Sequence, residues 1–332
     1  MDLLDPLIKK MTKLYLGIDT SNYTTSIGVI DENNNVVLDL RKTLEVKDSN
    51  RGLRQQEAVF QHLNNLPLLI DKLSNKIDLK NIETISVSTR PRNYFDSYMP
   101  VFVVGKNQAY IISRLLNTKY IEFSHQEGHI AAGLINYTKP IDKFLSLHIS
   151  GGTTEILLVE NSLDNFHISI IGGSLDISLG QLIDRIGVSL GLGFPCGREL
   201  DVLSQNGSVL KLDIPISIKD KSWSNLSGLE NYFIKLIDSK KYRKEDIIIT
   251  LFHTISKIIE ILIENTVDNN PTENVLITGG VAANSYIRNY LSKNLALNLI
   301  FPIIELATDN GIGVAYLGKI KEGHRGCSDE AS

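Results

Sequence analysis

From Leu14 the segment LYLGIDTSNYTTSIGVIDENNNVVLDLRKTLEV divides into an apolar run ending at Gly17-Ile18-Asp19-Thr20-Ser21, an alternating run TTSIGVID, a polar turn at Glu32-Asn33-Asn34-Asn35, and a third alternating run. A period of two broken by turn residues predicts a three-stranded antiparallel meander. The same layout returns from Phe144 in FLSLHISGGTTEILLVENSLDNFHISIIGG, where Thr153-Thr154 stand as Thr24-Thr25 do in the first. The chain therefore reads as a duplication. After the first meander, residues 51–77 carry a helical pattern, ETISVST a short strand and GKNQAYIISRLLN a helix. The second half continues with a helix from about Ser178 to Leu190, a subdomain-like stretch over 199–245, a long helix and a strand at NVLITGG. The long apolar segment DIIITLFHTISKIIEILIENTV is interrupted by His253, Lys257 and Glu260. That spacing predicts an amphipathic core helix, since a membrane span needs about 20 apolar residues with few charges.

A repeated strand–strand–strand–helix–strand–helix unit is what actin, Hsp70 and the sugar kinases share. The expected fold is thus α/β, a duplicated actin/Hsp70/sugar-kinase-like (ASKHA) architecture with two lobes around a nucleotide cleft. The expected boundaries are an extension over 1–13, an N-terminal lobe over 14–140, a C-terminal lobe over 141–320 with a helical insertion near 199–245, and a flexible tail over 321–332. In such a fold the turns opening each lobe face the phosphates. Ser150-Gly151-Gly152-Thr153 lies at the turn of the second meander, where glycine lets backbone approach a phosphate and hydroxyls donate to it. Gly279-Gly280, leading to Asn284, follows a strand and opens a helix, which also suits an anion. Either Gly-Gly pair alone reads more readily as a tight connection. Their matching positions in a duplicated fold favour the nucleotide.

Composition narrows the classes. A net charge of −4 argues against a wholly basic surface, so nucleic-acid contact needs a local patch. Lys240, Lys241, Arg243 and Lys244 form the densest basic cluster, which a solvated loop explains as well. Cys196 and Cys327 are far apart and form no Cys-x-x-Cys, which fits a reducing cytoplasm and indicates neither a disulfide framework nor a thiolate zinc site. The opening MDLLDPLIKKMTK has no continuous apolar core and is not read as a signal peptide; Met11 is a candidate start.

The chemistry begins at SHQEGHIAAG. On a helix, His125 and His129 lie one turn apart on one face, an arrangement that binds a transition metal or, alternatively, pairs a surface residue with a buried one. His-Gln-Glu-Gly-His does not match His-Glu-x-x-His, so a zinc peptidase is not indicated. With GIDTS, SHQEGHIAAG, SGGTTEI, GQLIDRIGVSLGLGFPCG, LSGLE, ITGGVAAN and FPIIELATDNGIGVAY in this order, the chain resembles the TsaD family of tRNA threonylcarbamoyladenosine synthases from about Leu14 to Gly318. The resemblance implies one metal, iron or zinc, held by His125, His129 and Asp309. It offers His148, where archaeal relatives carry a metal-binding tyrosine, as a fourth ligand; a strand-end histidine bonded to backbone is the other reading. It implies an adenine nucleotide, threonylcarbamoyl-AMP or ATP, held by Asp184, Gly197 and Asn284 besides the glycine turns. It implies transfer of threonylcarbamoyl to adenosine of tRNA, in the cytoplasm, with TsaB-like and TsaE-like partners.

Three departures bear on the acceptor side. Asn22-Tyr23-Thr24-Thr25 replaces the family's Cys-Asp-Glu-Thr, removing two carboxylates. Arg90-Pro91-Arg92 replaces Gly-Pro-Gly, making a compact turn cationic, and Ser124-His125 replaces a histidine pair, with Ser124 expected to cap a helix. They leave two alternatives: a related carbamoyl transferase with another acceptor, or a non-catalytic TsaB-like subunit.

Overall fold

The computed structural model describes residues 12–21, 23–46, 53–137, 139, 141–162 and 165–329. Met11 and Asn22, and the side chain of Cys327, lie outside that description. Contacts divide the chain into two compact units, one formed by residues 1–136 with 309–332 and the other by 137–308.

In the first unit, β1 (Leu14–Thr20), β2 (Thr24–Asp31) and β3 (Val36–Thr43) form the meander expected from the period of two. Then come α1 (Gln55–Ser74), β4 (Ile82–Arg90), α2 (Pro100–Leu116), β5 (Lys119–Ser124) and α3 (His125–Leu134). The strand order is β3-β2-β1-β4-β5, with β1 antiparallel to β2 and parallel to β4. Every residue of β1 is buried, as a central strand covered on both faces requires.

The second unit runs β6 (Lys143–Ile149), β7 (Thr154–Ser162), β8 (Asn165–Ser174), α4 (Leu179–Ser189), α5 (Gly197–Ser204), β9 (Ser217–Lys219), β10 (Trp223–Asn225), α6 (Ser227–Asp238), α7 (Lys244–Asn269), β11 (Asn274–Thr278), α8 (Ser285–Asn294) and β12 (Asn298–Ile300). Its sheet order is β12-β11-β6-β7-β8-β10-β9. Within it β8-β7-β6-β11-β12 repeats the order of the first sheet, so the duplication holds at the level of strand connectivity. The stretch over 199–245 is not wholly helical: β9 and β10 extend the sheet, β10 pairing parallel with β8. The long apolar segment forms α7, whose buried face includes Leu251, Phe252, Ile255, Ile259 and Leu262. No helix among the described residues is long and apolar enough to cross a membrane.

The carboxyl end departs from the expected boundaries. From Asp309 the chain belongs to the first unit, and α9 (Ile312–Asp329) packs on α3, β1 and β4. Small residues make this possible. A methyl group on Gly313 would overlap the carbonyl of Gly128 in α3, and one on Gly17 of β1 would overlap Gly311. Nor is 321–329 a loose tail: it continues α9, and Glu322 accepts from Thr84 and from Lys119, both at 2.9 Å.

Candidate metal centre

Three elements of the first unit deliver the site. α3 begins with a capping box in which the Ser124 hydroxyl accepts from the Glu127 N–H while the Glu127 carboxylate accepts from the Ser124 N–H. The cap fixes where the helix starts, and so places His125 at its first position and His129 one turn on. The segment entering α9 contributes Asp309, and Asn310 anchors that turn by accepting from the Gly313 N–H at 3.1 Å. The end of β1 contributes Asp19, and the turn after it contributes Ser21.

These groups converge. His125 Nε2 and His129 Nε2 lie 3.1 Å apart, and Asp309 Oδ1 is 3.5 Å from the first and 3.2 Å from the second. The set is the one grouping of three or more His, Cys, Asp or Glu donors suited to a metal among the described residues. Donors held about 2.0–2.1 Å from one ion, at angles between a right angle and the tetrahedral value, stand about 2.9–3.4 Å apart. The observed spacings match that range within about 0.1 Å. Two imidazole nitrogens and a carboxylate suit zinc or iron and leave coordination positions open, as catalysis needs.

Supporting groups orient the donors. Asp19, fully buried, accepts from His125 Nδ1 at 2.9 Å, which puts the proton on Nδ1 and leaves Nε2 to face the cluster. Ser88 donates to the same Asp19 oxygen, whereas Asp19 Oδ2 has no hydrogen-bond partner among the described residues. Ser21 donates to Asp309 Oδ2 at 2.6 Å, turning Oδ1 toward the imidazoles. Behind this turn His62 bridges the Thr25 hydroxyl and the Ser21 carbonyl, both at 2.8 Å. Asp19, Ser21 and His62 carried no role in the sequence reading. The first two sit within the GIDTS motif; His62, in α1, has no sequence signal at all.

Electrostatics follow the geometry. Burial disfavours a charged His125, yet the carboxylates of Asp19 and Asp309 outweigh it and raise its pKa well above the usual histidine value. Burial likewise opposes a charged Asp309, but hydrogen bonds from His125 and His129 hold it well below the carboxylate range. Without a cation the cluster is a compact ion pair, so metal binding must displace a proton.

The remaining expected site residues lie in the second unit. His148 is not in the convergent set; its Nδ1 is 3.0 Å from the Thr278 hydroxyl, on the neighbouring strand. The Ser150 hydroxyl oxygen accepts from Thr153 N–H at 3.1 Å and, at longer range, from Gly152. A side chain on Gly151 or Gly152 would meet nothing, so the turn is open. Asp184 Oδ1 accepts from Cys196 N–H at 2.8 Å and thereby ties α4 to the loop before Gly197; burial raises its pKa, and that hydrogen bond opposes the rise. Gly279 has φ +91° and lies against Ile149, a position only glycine fills without strain. Gly280 opens the short turn that follows, and Asn284 caps α8 by accepting from Ile287 N–H at 2.9 Å. In the basic cluster Arg243 is engaged with Glu245 and with the carbonyl of Asn206.

Comparison with known proteins gives a match over residues 41–316 to the family TsaD, tRNA N6-adenosine threonylcarbamoyltransferase. The chain belongs to this family. A tRNA N6-adenosine threonylcarbamoyltransferase of Thermosipho africanus is 31% identical, covering 92% of this chain and 93% of the relative. That of Mycoplasmopsis synoviae is 30% identical over 93% of this chain and 98% of its own. Solved structures confirm the fold class. A ROK family glucokinase from Streptomyces griseus aligns with a TM-score of 0.53 at 9% identity, over 93% of this chain and 99% of that one. HypF from T. kodakarensis aligns with a TM-score of 0.56 at 14% identity, over 94% of this chain and 48% of its own. The fold is therefore of the actin/Hsp70/sugar-kinase class. Within a TsaD family frame the departures acquire structural settings. Ser124 is the expected helix cap. Thr25 hydrogen-bonds His62, Tyr23 is exposed, and Arg90 is held by Thr89 and Asn93.

Proposed function

We propose that this chain transfers a threonylcarbamoyl group from threonylcarbamoyl-AMP to the exocyclic amine of an adenosine in tRNA, in the cytoplasm. The reaction forms an N–C bond at the amine, breaks the acyl–phosphate C–O bond and releases AMP with the amine proton. The convergence of His125, His129 and Asp309 in a chain of this family carries the reading. It favours a catalyst over a non-catalytic TsaB-like subunit, and the relatives' shared name favours tRNA over another acceptor.

The acceptor amine is conjugated with its ring and is a poor nucleophile, so the acyl carbon must be activated. Iron or zinc, held by His125, His129 and Asp309, would supply Lewis acidity toward the acyl group. Asp19 and Ser21 orient its ligands. In the second unit, the Ser150 hydroxyl donates to the departing phosphate, the second oxygen of Asp184 accepts from the ribose, and the Asn284 amide, its oxygen engaged in the cap, donates through nitrogen. Gly151, Gly152, Gly279 and Gly280 keep side chains away from the nucleotide, Thr153 offers its hydroxyl and Gly197 a backbone N–H. TsaB-like and TsaE-like proteins are the expected partners.

The test supplies purified chain, loaded with zinc or iron, with threonylcarbamoyl-AMP, unmodified tRNA and the TsaB and TsaE relatives of the same cell, and measures modified adenosine by nucleoside mass spectrometry. Product is expected. In His125→Ala, metal stoichiometry should fall with product, by at least about 100-fold in metal affinity. A wild type that is folded and metal-loaded yet forms no product overturns the reading.

A further inference from the structure

The segment 91–99, between β4 and α2, is fastened to the metal centre at both ends. On the β4 side, Ser88 donates to Asp19, and the Pro91 carbonyl accepts from the N–H of Gln126, the residue after His125, at 3.0 Å. Asn93 reaches Glu127 of α3 at 3.4 Å. On the α2 side, the Phe102 ring stands 5.7 Å from the His125 ring. Between these anchors the segment closes on itself. Arg92 N–H donates to the Ser97 hydroxyl at 3.0 Å, Ser97 N–H to the Tyr94 carbonyl at 3.3 Å, and Asp96 turns the chain with φ +62°.

What this tightly anchored loop presents is aromatic. Tyr94 is 57% exposed, Phe95 90% and Tyr98 67%, and none makes a ring contact with another described residue. Scattered apolar residues on a surface are ordinary, but three aromatic rings within five residues of one loop mark a contact surface. Arginines flank them. Arg90 gives its hydrogen bonds to neutral oxygens, Thr89 Oγ1 at 3.2 Å and Asn93 Oδ1 at 2.8 Å, so its charge is not neutralised by a carboxylate. Arg92 is half-buried beside it, and Asp96 is the one acid of the loop.

We propose that Tyr94, Phe95 and Tyr98 form a stacking platform for unpaired bases of an RNA loop next to the acceptor adenosine, with Arg90 holding a backbone phosphate. The proposal rests on the tRNA reading above. An acceptor base presented to a metal centre must leave its own stack, and its neighbours lose stacking with it. Exposed aromatic faces replace that stacking for any base, and guanidinium supplies charge for the backbone. Anchoring through Gln126, Glu127 and Phe102 keeps the platform in register with His125, which a freely moving loop would not.

The test measures binding of a labelled anticodon stem-loop RNA by fluorescence anisotropy at several salt concentrations, using the full chain with its partner subunits, and KM for the same RNA. Phe95→Ala is expected to weaken binding about 5- to 100-fold, and Phe95→Trp to retain it. Tyr94→Ala and Tyr98→Ala are expected to follow Phe95→Ala. Arg90→Ala should weaken binding and lower the salt slope by about 0.7. In RNA with 2-aminopurine beside the acceptor, emission should be quenched by wild type and not by Phe95→Ala. Thermal unfolding and metal content, unchanged in each variant, separate these losses from misfolding. RNA affinity and KM unchanged in all three aromatic variants overturn the proposal while modification by wild type leaves the function standing. Loss of subunit assembly with intact RNA affinity also overturns it, assigning the loop to a protein partner. A wild type that neither binds nor modifies RNA overturns both.

Discussion

The two copies of the strand unit place one backbone position under different chemistry. In the first, Thr20 pairs with Thr25 and Asp19 with Ser26; in the second, Ile149 pairs with Thr154 and His148 with Glu155. Asp19 and His148 thus occupy equivalent places on the first strand of each meander. The neighbouring parallel strand answers each with a hydroxyl, Ser88 in the first copy and Thr278 in the second. The frame is shared, and the contents have diverged. An acid at this position is buried and braces the His125 imidazole; an imidazole there is half-buried and bonded to threonine. Glycines diverge in the same way. Those around β1 and α9 exist because backbones touch, whereas those of the Ser150–Thr153 turn face open space.

The sharpest way to break this comparison is to add one methyl group in each copy. Gly313→Ala must push α9 away from the Gly128 carbonyl, and with it Asp309 from the imidazoles. Overpacking of this kind destabilises by about 1–3 kcal/mol or more, and metal affinity should fall with it. Gly152→Ala should leave unfolding within about 0.5 kcal/mol of wild type. Denaturant unfolding of the two variants checks both, and equal stabilities would refute the distinction.

Next in size is Asp19→Asn. It preserves shape and removes the charge that holds the His125 Nδ1 proton. Loss of such an outer partner lowers metal affinity about 10- to 100-fold. Competition with a chelator reads it. Thr278→Ala, the equivalent brace of the second copy, supplies the comparison by unfolding: it removes one hydrogen bond of His148 and should cost about 1 kcal/mol, the net worth of such a bond.

Much of this was legible in the sequence and some was not, for physical reasons. Alternation and turn residues exposed both meanders, because a sheet with one repeated connectivity must repeat its hydrophobic period. The His125–His129 pair and Asp309 were legible because their motifs are short and carried by family resemblance. The return of the chain to the first unit at Asp309 was not. Contact of α9 and the segment entering it with α3, β1 and β2 runs through Gly17, Gly28, Gly128, Gly311 and Gly313, and close packing of this kind leaves no apolar stripe to read. Nor was the continuation of α9 past residue 320 legible, since its anchors are Glu322 with Thr84 and Lys119, pairs more than 200 residues apart in sequence.

The smallest effect concerns His62, which has no counterpart role in the second copy. It is fully buried between Thr25 and the Ser21 carbonyl, and burial lowers its pKa although the Ser21 hydrogen bond and Asp19 pull the other way. The unfolded chain, whose histidine titrates near about 6.5, then binds the proton more readily than the folded one. Its contribution to stability is complete above the unfolded value and is lost as pH falls through about 6.5 toward the lower folded pKa. His125 without metal has a raised pKa and works in the opposite sense, being most stabilising at low pH, so wild-type stability alone mixes the two. The difference between wild type and His62→Gln, measured by denaturant unfolding at a series of pH values, isolates the first. Wild type should lose advantage over the variant on acidification between about pH 7 and 5.5, with a slope of at most about 1.4 kcal/mol per pH unit. A wild type that instead gains advantage over the variant on acidification would mean that His62 is charged in the fold, and that the turn carrying Ser21 is braced by an imidazolium instead of a neutral ring.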